Sequence, residues 1–190
     1  TGFVPGRRIQ WNTHLLNLLE AYLDETDEDG LLVFLDWEKA FDKVTHVGLH
    51  DALERMDIDP KLRNLVKQLY KNPQFKIDIE GTTSQWKKQK SGIRQGCPLS
   101  PYLFLIVMTV MFHDIHRDID SKIIGRNIDC FWAWELLYAD DTMLIGKRAR
   151  ELNILISAIE TESVKYNLRL NYKKCNYITM NAKADIHFTD

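Results

Sequence analysis

Three stretches of the chain have the hydrophobic pattern of β-strands that face a protein core. Residues Leu31–Leu35 ("LLVFL") form a short, continuous apolar run after Gly30, which predicts a buried central strand. Residues 136–146 ("LLYADDTMLIG") contain two apolar runs around a polar centre, which predicts a hairpin. Residues 175–181 ("CNYITMN") predict a final strand.

Five further stretches carry apolar residues at the spacing of an amphipathic helix. They are residues 13–25, 46–56, 61–72, 102–115 and 150–166. Thr13 is the predicted N-cap of the first helix, because a threonine side chain can accept a hydrogen bond from the first turn. Ser100 and Pro101 are the predicted cap and first turn of the fourth helix.

A weaker pattern connects the third and fourth helices. Residues 75–79 alternate strictly between apolar and polar, and with residues 83–89 they predict a hairpin that turns at Gly81 and Thr82. Strands and helices follow one another without a regular alternation, which predicts an α+β fold. A chain of 190 residues is long enough for one such domain with its own core.

Two adjacent acids, Asp140 and Asp141, interrupt the apolar pattern of residues 136–146. Side chains alternate between the faces of a strand, and an ionised carboxylate is rarely buried without a partner. The pair therefore indicates either a surface turn, where Asp-Asp is common, or a site for cations.

Composition and charge narrow the classes of protein. The chain is 45% hydrophobic and contains neither an apolar run of membrane-spanning length nor an N-terminal signal sequence, so we expect an intracellular protein without a membrane partner. Its cysteines, Cys97, Cys130 and Cys175, form no Cys-x-x-Cys pair, which favours reduced packing residues over a zinc site. The net charge of −2 conceals a basic segment, residues 61–94, with nine basic and two acidic side chains. This segment indicates either a solvated face or a surface for a phosphate polymer.

A third acid, Asp36, directly follows the predicted strand Leu31–Leu35. Neighbouring strands lie about 4.8 Å apart, so Asp36 and Asp140 would come within metal-bridging range if this strand pairs with the 136–146 hairpin. Two divalent cations about 3.5–4 Å apart would relieve the repulsion and could clamp both oxygens of a phosphoryl transfer. We expect two Mg²⁺ ions, with Mn²⁺ as an alternative, Asp140 as the shared ligand and Asp141 as an outer one.

The segment 91–108 ("SGIRQGCPLSPYLFLIVM") places two glycines, Gly92 and Gly96, around Arg94 and Gln95. Glycine lets a backbone approach a ligand closely, while the other two side chains present a cation and an amide. A loop that leads into a capped helix accounts for the end of this segment but not for its Arg-Gln-Gly-Cys-Pro start.

Three blocks in this order and spacing resemble the reverse transcriptase domain of non-LTR (LINE-type) retrotransposons. They are "FLDWEKAFDKV" (34–44), "GIRQGCPLSPYLF" (92–104) and "YADDTMLIG" (138–146), with similar flanking blocks at 3–12 and 166–181. The resemblance implies a polymerase palm, an antiparallel sheet packed on helices, with part of the fingers. It also implies RNA-directed DNA synthesis from deoxynucleoside triphosphates on an RNA template and a DNA primer.

The resemblance assigns roles to individual residues. It implies that Asp36, Asp140 and Asp141 are the catalytic carboxylates that hold the two metal ions. Phe41 matches the steric gate that blocks a ribose 2′-hydroxyl, although its position equally suits a helix core residue. Lys174 matches the general acid for the leaving pyrophosphate, with the adjacent Lys173 as the alternative. The implied nucleotide-binding residues are Arg8, Arg94, Gln95 and Gly96.

Two residues depart from the family pattern. Trp11 stands where the family often has aspartate, and Trp37 stands where it has a small or medium residue, so Trp37 needs room beside Asp36. The resemblance predicts that a first fingers block precedes Thr1 and that a primer-gripping hairpin and thumb follow Asp190. We therefore expect residues 1–190, taken alone, to be inactive or very weakly active.

Two other functions stay open at this stage. The chain could be an inactive RNA-binding remnant of a retroelement or a maturase-like protein, and the three intact acids argue against this because mutually repelling carboxylates serve catalysis. An RNA-copying RNA polymerase is a second alternative, which Phe41 disfavours.

Overall fold

The computed structural model describes residues 9–119, 135–181 and 185–188. Its helices are α1 (Ile9–Thr26), α2 (Ala40–Lys43), α3 (His46–Arg55), α4 (Pro60–Leu69), α5 (Ser100–Asp118) and α6 (Ala149–Ser163), the last followed by a 3₁₀ turn at Val164–Tyr166. Its strands are β1 (Gly30–Leu35), β2 (Gln74–Phe75), β3 (Asp78–Ile79), β4 (Thr82–Thr83), β5 (Lys87–Lys88), β6 (Glu135–Tyr138), β7 (Asp141–Gly146) and β8 (Asn176–Met180).

The main sheet has four strands in the order β6-β7-β1-β8, and every neighbouring pair is antiparallel. The continuous apolar strand β1 lies inside the sheet, between β7 and β8, as its sequence predicted. In the register, Leu31 pairs with Gly146 and Leu35 with Thr142. The predicted pairing of the Leu31–Leu35 strand with the 136–146 hairpin is confirmed.

Both faces of this sheet are packed against helices. On one face, Val33 and Leu144 join the principal core with apolar residues of α3, α5 and α6. On the other face, Met143 and Ile145 form a smaller core with leucines of α1. Alternation along each strand sends successive side chains to these two cores, because the pleat has a period of two. The predicted α+β palm, an antiparallel sheet on helices, is confirmed.

Two helix starts differ from the sequence-based predictions. Helix α1 begins at Ile9, so Thr13 lies within it and does not cap it. Ser100 is the first residue of α5, and its hydroxyl donates a hydrogen bond to the carbonyl oxygen of Arg94 instead of capping the helix. The preceding loop folds back over the helix start and supplies this acceptor, which local sequence preference does not reveal. Pro101 occupies the first turn, as predicted.

The basic segment forms α4 and a hairpin with two small sheets, β2–β5 and β3–β4. The predicted turn is wrong by one residue. Ile79 pairs with Thr82, so the turn consists of Glu80 and Gly81, which both have positive φ angles, 50° and 83°. Two left-handed residues give the turn that matches the twist of a hairpin.

An ion pair with a buried carboxylate connects α3 to α5. Arg55 Nη1 donates to Asp114 Oδ2 at 2.6 Å, and its second terminal nitrogen donates to the other carboxylate oxygen. The Asp114 side chain is only 4% exposed, and this pairing holds the pKa of its carboxyl below the ordinary value. Despite the apolar length of α5, none of the helices in the described ranges is long and apolar enough to cross a membrane.

Candidate active site

The three acids singled out in the sequence lie at one end of the main sheet. Asp36 directly follows β1, and Asp141 begins β7, one position beyond the Leu35–Thr142 pair. Asp140 and Ala139, which has a φ of 58°, form the turn between β6 and β7. The sequence had suggested that Asp140 stands across from Asp36, but the antiparallel register gives that position to Asp141.

The charges of these carboxylates act on one another. The pKa of Asp141 is raised above its ordinary value, first by partial burial and then by the negative charges of Asp140 and Asp36. Lys174 supplies a compensating charge, since its Nζ atom lies 3.8 Å from Asp36 Oδ2. Among the ion pairs of the described residues, one includes Lys174 and none includes Lys173. The site is therefore a cluster of acids that is only partly neutralised by the protein.

Such a cluster has the chemistry of a site for hard divalent cations. Carboxylate oxygens are the protein ligands that Mg²⁺ prefers, and it usually completes its shell with water and substrate phosphates. Within the described ranges, no group of three or more acidic, histidine or cysteine side chains is arranged so that it could hold a metal ion by itself. Asp36, Asp140 and Asp141 thus fit Mg²⁺ by donor type and mutual repulsion, with substrate oxygens needed to complete its coordination.

A cleft of about 550 Å³ opens beside Asp140. Its lining is formed by the residues Phe41, Gln95, Gly96, Cys97, Pro98, Ser100, Pro101 and Asp140. The ring of Phe41 stacks on Phe104, with centroids 4.5 Å apart and an interplanar angle of 24°. One face of Phe41 is therefore covered by α5, while the residue still borders the cleft. Phe41 is therefore both a packing residue and part of the cleft wall, a position compatible with both interpretations of the sequence, a helix core residue and a steric gate.

The loop before α5 is attached to α2 by its backbone. Ile93 N–H donates to the Phe41 carbonyl at 2.6 Å, and Gly92 N–H donates to the Val44 carbonyl at 2.7 Å. Gly92 has a φ of 94°, and a Cβ atom there would lie 2.8 Å from the Asp42 carbonyl oxygen. This glycine is required for a close approach to the protein's own backbone, whereas the sequence had suggested a ligand.

Gln95 and Gly96 reach the cleft, but Arg94 does not line it. The Gln95 amide donates to Asp42 Oδ1 at 2.9 Å, which orients the side chain. The Arg94 guanidinium donates to the Leu69 carbonyl at 3.2 Å and lies 6.0 Å from the centre of the Tyr70 ring. Arg94 therefore joins the loop to the end of α4, outside the cleft lining.

Cys175 and Trp37 lie next to the backbone of Asp36 and support it. The backbone N–H of Asp36 donates to the sulfur of Cys175 at 3.5 Å. Trp37 is buried in the principal core, so it finds its room on the face opposite Asp36, because successive side chains along an extended strand point to opposite faces. This alternation was available in the sequence and would have placed Trp37 correctly. Arg8 and Cys130 lie outside the described residues.

An antiparallel sheet between helices, with acids at neighbouring strand ends and an open cleft beside them, is the arrangement of a polymerase palm. A family model described as "Reverse transcriptase (RNA-dependent DNA polymerase)" matches residues 1–188, and the chain belongs to this family.

The relatives that this chain resembles come from R2 and jockey mobile elements, in agreement with the resemblance to non-LTR elements found in the sequence. The Pol polyprotein from the type-1 retrotransposable element R2 of Nasonia vitripennis is 27% identical over 94% of this chain. The RNA-directed DNA polymerase from the mobile element jockey of Drosophila melanogaster is 28% identical over 82% of it. The chain spans 17% of the length of each of these relatives.

The fold also resembles that of part of a telomerase chain. The structure of telomerase from Candida tropicalis in complex with a TWJ fragment of telomeric RNA superposes with a TM-score of 0.68 over 97% of this chain and 31% of its own. The sequences are 14% identical, so this likeness concerns the fold alone.

Proposed function

We propose that this chain carries the catalytic centre of an RNA-directed DNA polymerase, which adds deoxynucleotides to a primer 3′-hydroxyl on an RNA template. The observation that carries the proposal is the position of Asp36 and Asp141 at neighbouring strand ends, with Asp140 in the adjoining turn. Family membership supports the reaction class. Because RNA and deoxynucleotides occur inside cells, the proposed activity places the protein in the cytoplasm or the nucleus.

Asp36, Asp140 and Asp141 would hold two Mg²⁺ ions, or Mn²⁺ in their place. When bound, such ions stabilise the charge on the attacking and leaving oxygens of a phosphoryl transfer. The protein supplies a fixed frame for these carboxylates, since a backbone hydrogen bond from Asn171 N–H to the Asp36 carbonyl, 2.8 Å long, ties the end of β1 to the segment before β8. Fixed ligands reduce the reorganisation that the reaction requires.

The cleft beside Asp140 would receive the deoxynucleoside triphosphate. Gln95 and Gly96 form part of its wall, and a Cβ atom at Gly96 would meet nothing within 4 Å, so the backbone there is open to a ligand. Phe41 borders the same cleft and would exclude a 2′-hydroxyl. Lys174, at Asp36, would donate the proton to the leaving pyrophosphate, and a positioned acid typically contributes about 10²–10⁴-fold in rate.

The β2–β5 hairpin would contact the template. The adjacent Lys87 and Lys88 are exposed. Trp86 is 64% exposed, and the Lys76 Nζ atom lies 5.6 Å from the centre of its ring. Exposed aromatic rings next to cations bind single-stranded nucleic acid by stacking and charge. An inactive RNA-binding remnant would share this surface, so RNA binding by itself does not separate the two functions.

Primer extension separates them. The polypeptide that carries residues 1–190 is given an RNA template, a DNA primer, deoxynucleotides and Mg²⁺, and each catalytic acid is replaced by asparagine in turn. We expect extension to be lost in Asp36→Asn, Asp140→Asn and Asp141→Asn, with RNA binding retained. The control is Asp118→Asn, at an exposed acid of α5. RNA binding without any extension by the parent polypeptide would instead support the remnant.

A further inference from the structure

A buried hydrogen bond joins the two strands immediately behind the acids. The indole Nε1 of Trp37 donates to Thr142 Oγ1 at 3.1 Å. Trp37 and Thr142 are 5% and 2% exposed, so the bond is sheltered from water. Trp37 follows Asp36, and Thr142 follows Asp141, so each partner is adjacent in sequence to one carboxylate of the site.

The bond lies on the opposite side of the sheet from the acids. Because successive residues of a strand alternate between faces, Asp36 and Asp141 share one face while Trp37 and Thr142 share the other. The backbone of β1 ends at Leu35, and the Leu35–Thr142 pair is the last of the β1–β7 ladder. The side-chain bond therefore continues the connection between the strands past the last backbone pair, at the level of the carboxylates.

The backbone at Trp37 is attached to a further segment as well. Trp37 pairs with Leu170 in an isolated antiparallel bridge, and Glu38 N–H donates to the Arg169 carbonyl at 2.9 Å. The residue after Asp36 is thus attached both to β7 and to the 168–170 segment. A hydroxyl is unnecessary for packing in an apolar core, and a buried indole N–H that loses its acceptor is left unsatisfied.

We propose that Trp37 and Thr142 form a positioning pair that sets the separation of Asp36 and Asp141, and so the affinity of the site for its divalent cations. This inference rests on the proposed function of the site. Residues that orient metal ligands through hydrogen bonds typically change metal affinity about 10–100-fold when they are replaced. A displacement of reacting groups by about 1 Å can also cost about 100-fold in rate.

The test measures Mn²⁺ binding directly, by electron paramagnetic resonance, in the polypeptide that carries residues 1–190 with a deoxynucleoside triphosphate present. Trp37→Phe removes the donor and Thr142→Val removes the acceptor with little change of shape, while Thr142→Ser retains the hydroxyl. Each of the first two variants is expected to weaken Mn²⁺ binding about tenfold or more. The double variant should be no weaker than either one, because both remove the same bond, and Thr142→Ser should bind as the parent does.

A destabilised control separates positioning from general stability. Ile156→Val shortens a buried side chain of α6 away from the acids and should lower the unfolding midpoint without changing Mn²⁺ affinity. Mn²⁺ affinity that is unchanged in Trp37→Phe and Thr142→Val, or that falls equally in Ile156→Val, would overturn the positioning role while the proposed function stands. A parent polypeptide that neither binds Mn²⁺ nor extends a primer would overturn both.

Discussion

The Nζ atom of Lys174 lies 3.8 Å from Oδ2 of Asp36, so a cation on the segment before β8 contacts an acid at the end of β1. The contact is made possible by the pairing of β8 with β1, in which Phe34 is opposite Asn176. The Lys174 side chain is 66% exposed, so it can leave this carboxylate when a substrate arrives. From this position, Lys174 would pair with Asp36 in the free protein and donate a proton to the leaving phosphate during the reaction.

The two adjacent lysines should differ in their effect on catalysis. Lys174→Ala is expected to lower the rate of single-nucleotide addition about 100-fold, because a positioned proton donor is lost. Lys173→Ala, the matched control on the neighbouring residue, should stay within about twofold of the parent. Single-turnover kinetics on an RNA template measure both. Equal losses in the two variants would remove the specific role of Lys174.

Replacement of Phe41 should change sugar selection. Phe41→Ala opens the cleft beside Asp140, so a ribose 2′-hydroxyl would fit, and incorporation of ribonucleotides relative to deoxynucleotides should rise roughly 10- to 200-fold. Phe41→Tyr keeps the aromatic wall and is the control. Competing nucleotides in one extension assay give the ratio. If discrimination is the same in Phe41→Ala as in the parent, the stacking on Phe104 is the whole role of this residue.

The two glycines around Gln95 should respond differently to alanine. Both have positive φ angles, 94° at Gly92 and 80° at Gly96, and such a backbone costs an alanine about 1–2 kcal/mol. At Gly92 the added Cβ would also lie 2.8 Å from the Asp42 carbonyl oxygen, while at Gly96 the space is open. Gly92→Ala should therefore lower the free energy of unfolding by more than Gly96→Ala does. Urea denaturation measures this difference, and a larger loss at Gly96 would contradict the described loop.

The Arg55–Asp114 pair should dominate the stability of the α3–α5 contact. Asp114→Ala removes the buried carboxylate and leaves the partly exposed Arg55 guanidinium without this partner, and the loss of such charge-assisted hydrogen bonds typically costs about 1.5–3 kcal/mol. Because the folded pKa of Asp114 is depressed, its contribution is present above its unfolded pKa and is lost as the pH falls through the folded value. The exposed control Asp118→Ala should cost less than about 1 kcal/mol. Urea unfolding at neutral and acidic pH tests both statements, and similar losses in the two variants would refute them.

A histidine on α5 should give stability the opposite pH dependence. His116 Nε2 lies 3.1 Å from Glu135 Oε2, and this hydrogen bond raises the pKa of His116 above its ordinary value of 6.5. A raised folded pKa contributes stability that is fully present below the unfolded pKa and is lost as the pH rises through the folded pKa. The difference in unfolding free energy between the parent and His116→Gln should therefore shrink from about pH 6 upward. A difference that grows over this range would exclude the pairing with Glu135.

Most of the fold could be predicted from local patterns in the sequence. The continuous run at Leu31–Leu35 is enough to predict an internal strand, because only a strand packed on both faces tolerates apolar residues at every position. The stripe in residues 150–166 likewise predicts α6, since Leu152, Leu155, Ile156 and Ile159 lie on one helix face. Each of these signals comes from residues that lie close together in the sequence, so neither depends on a distant contact.

Contacts between distant segments decided the rest. Thr13 and Ser100 have the chemistry of helix caps. However, α1 begins before Thr13, and the Ser100 hydroxyl donates its hydrogen bond to the Arg94 carbonyl. The need for glycine at position 92 likewise depends on the Asp42 backbone, which lies fifty residues earlier in the chain. A local pattern contains no information about which group from a distant segment will lie beside a given residue.

For the site itself, the sequence by itself identified the acids, the order of the blocks and the family, because catalytic residue types at fixed spacing survive as short motifs. Only the tertiary structure decided their geometry. The antiparallel register set Asp141 across from Asp36, brought Lys174 to the same carboxylate and joined Trp37 to Thr142 behind it. Each of these relationships joins residues more than one hundred positions apart, and pairing between strands, which depends on the packing of the whole sheet, is what brings them together.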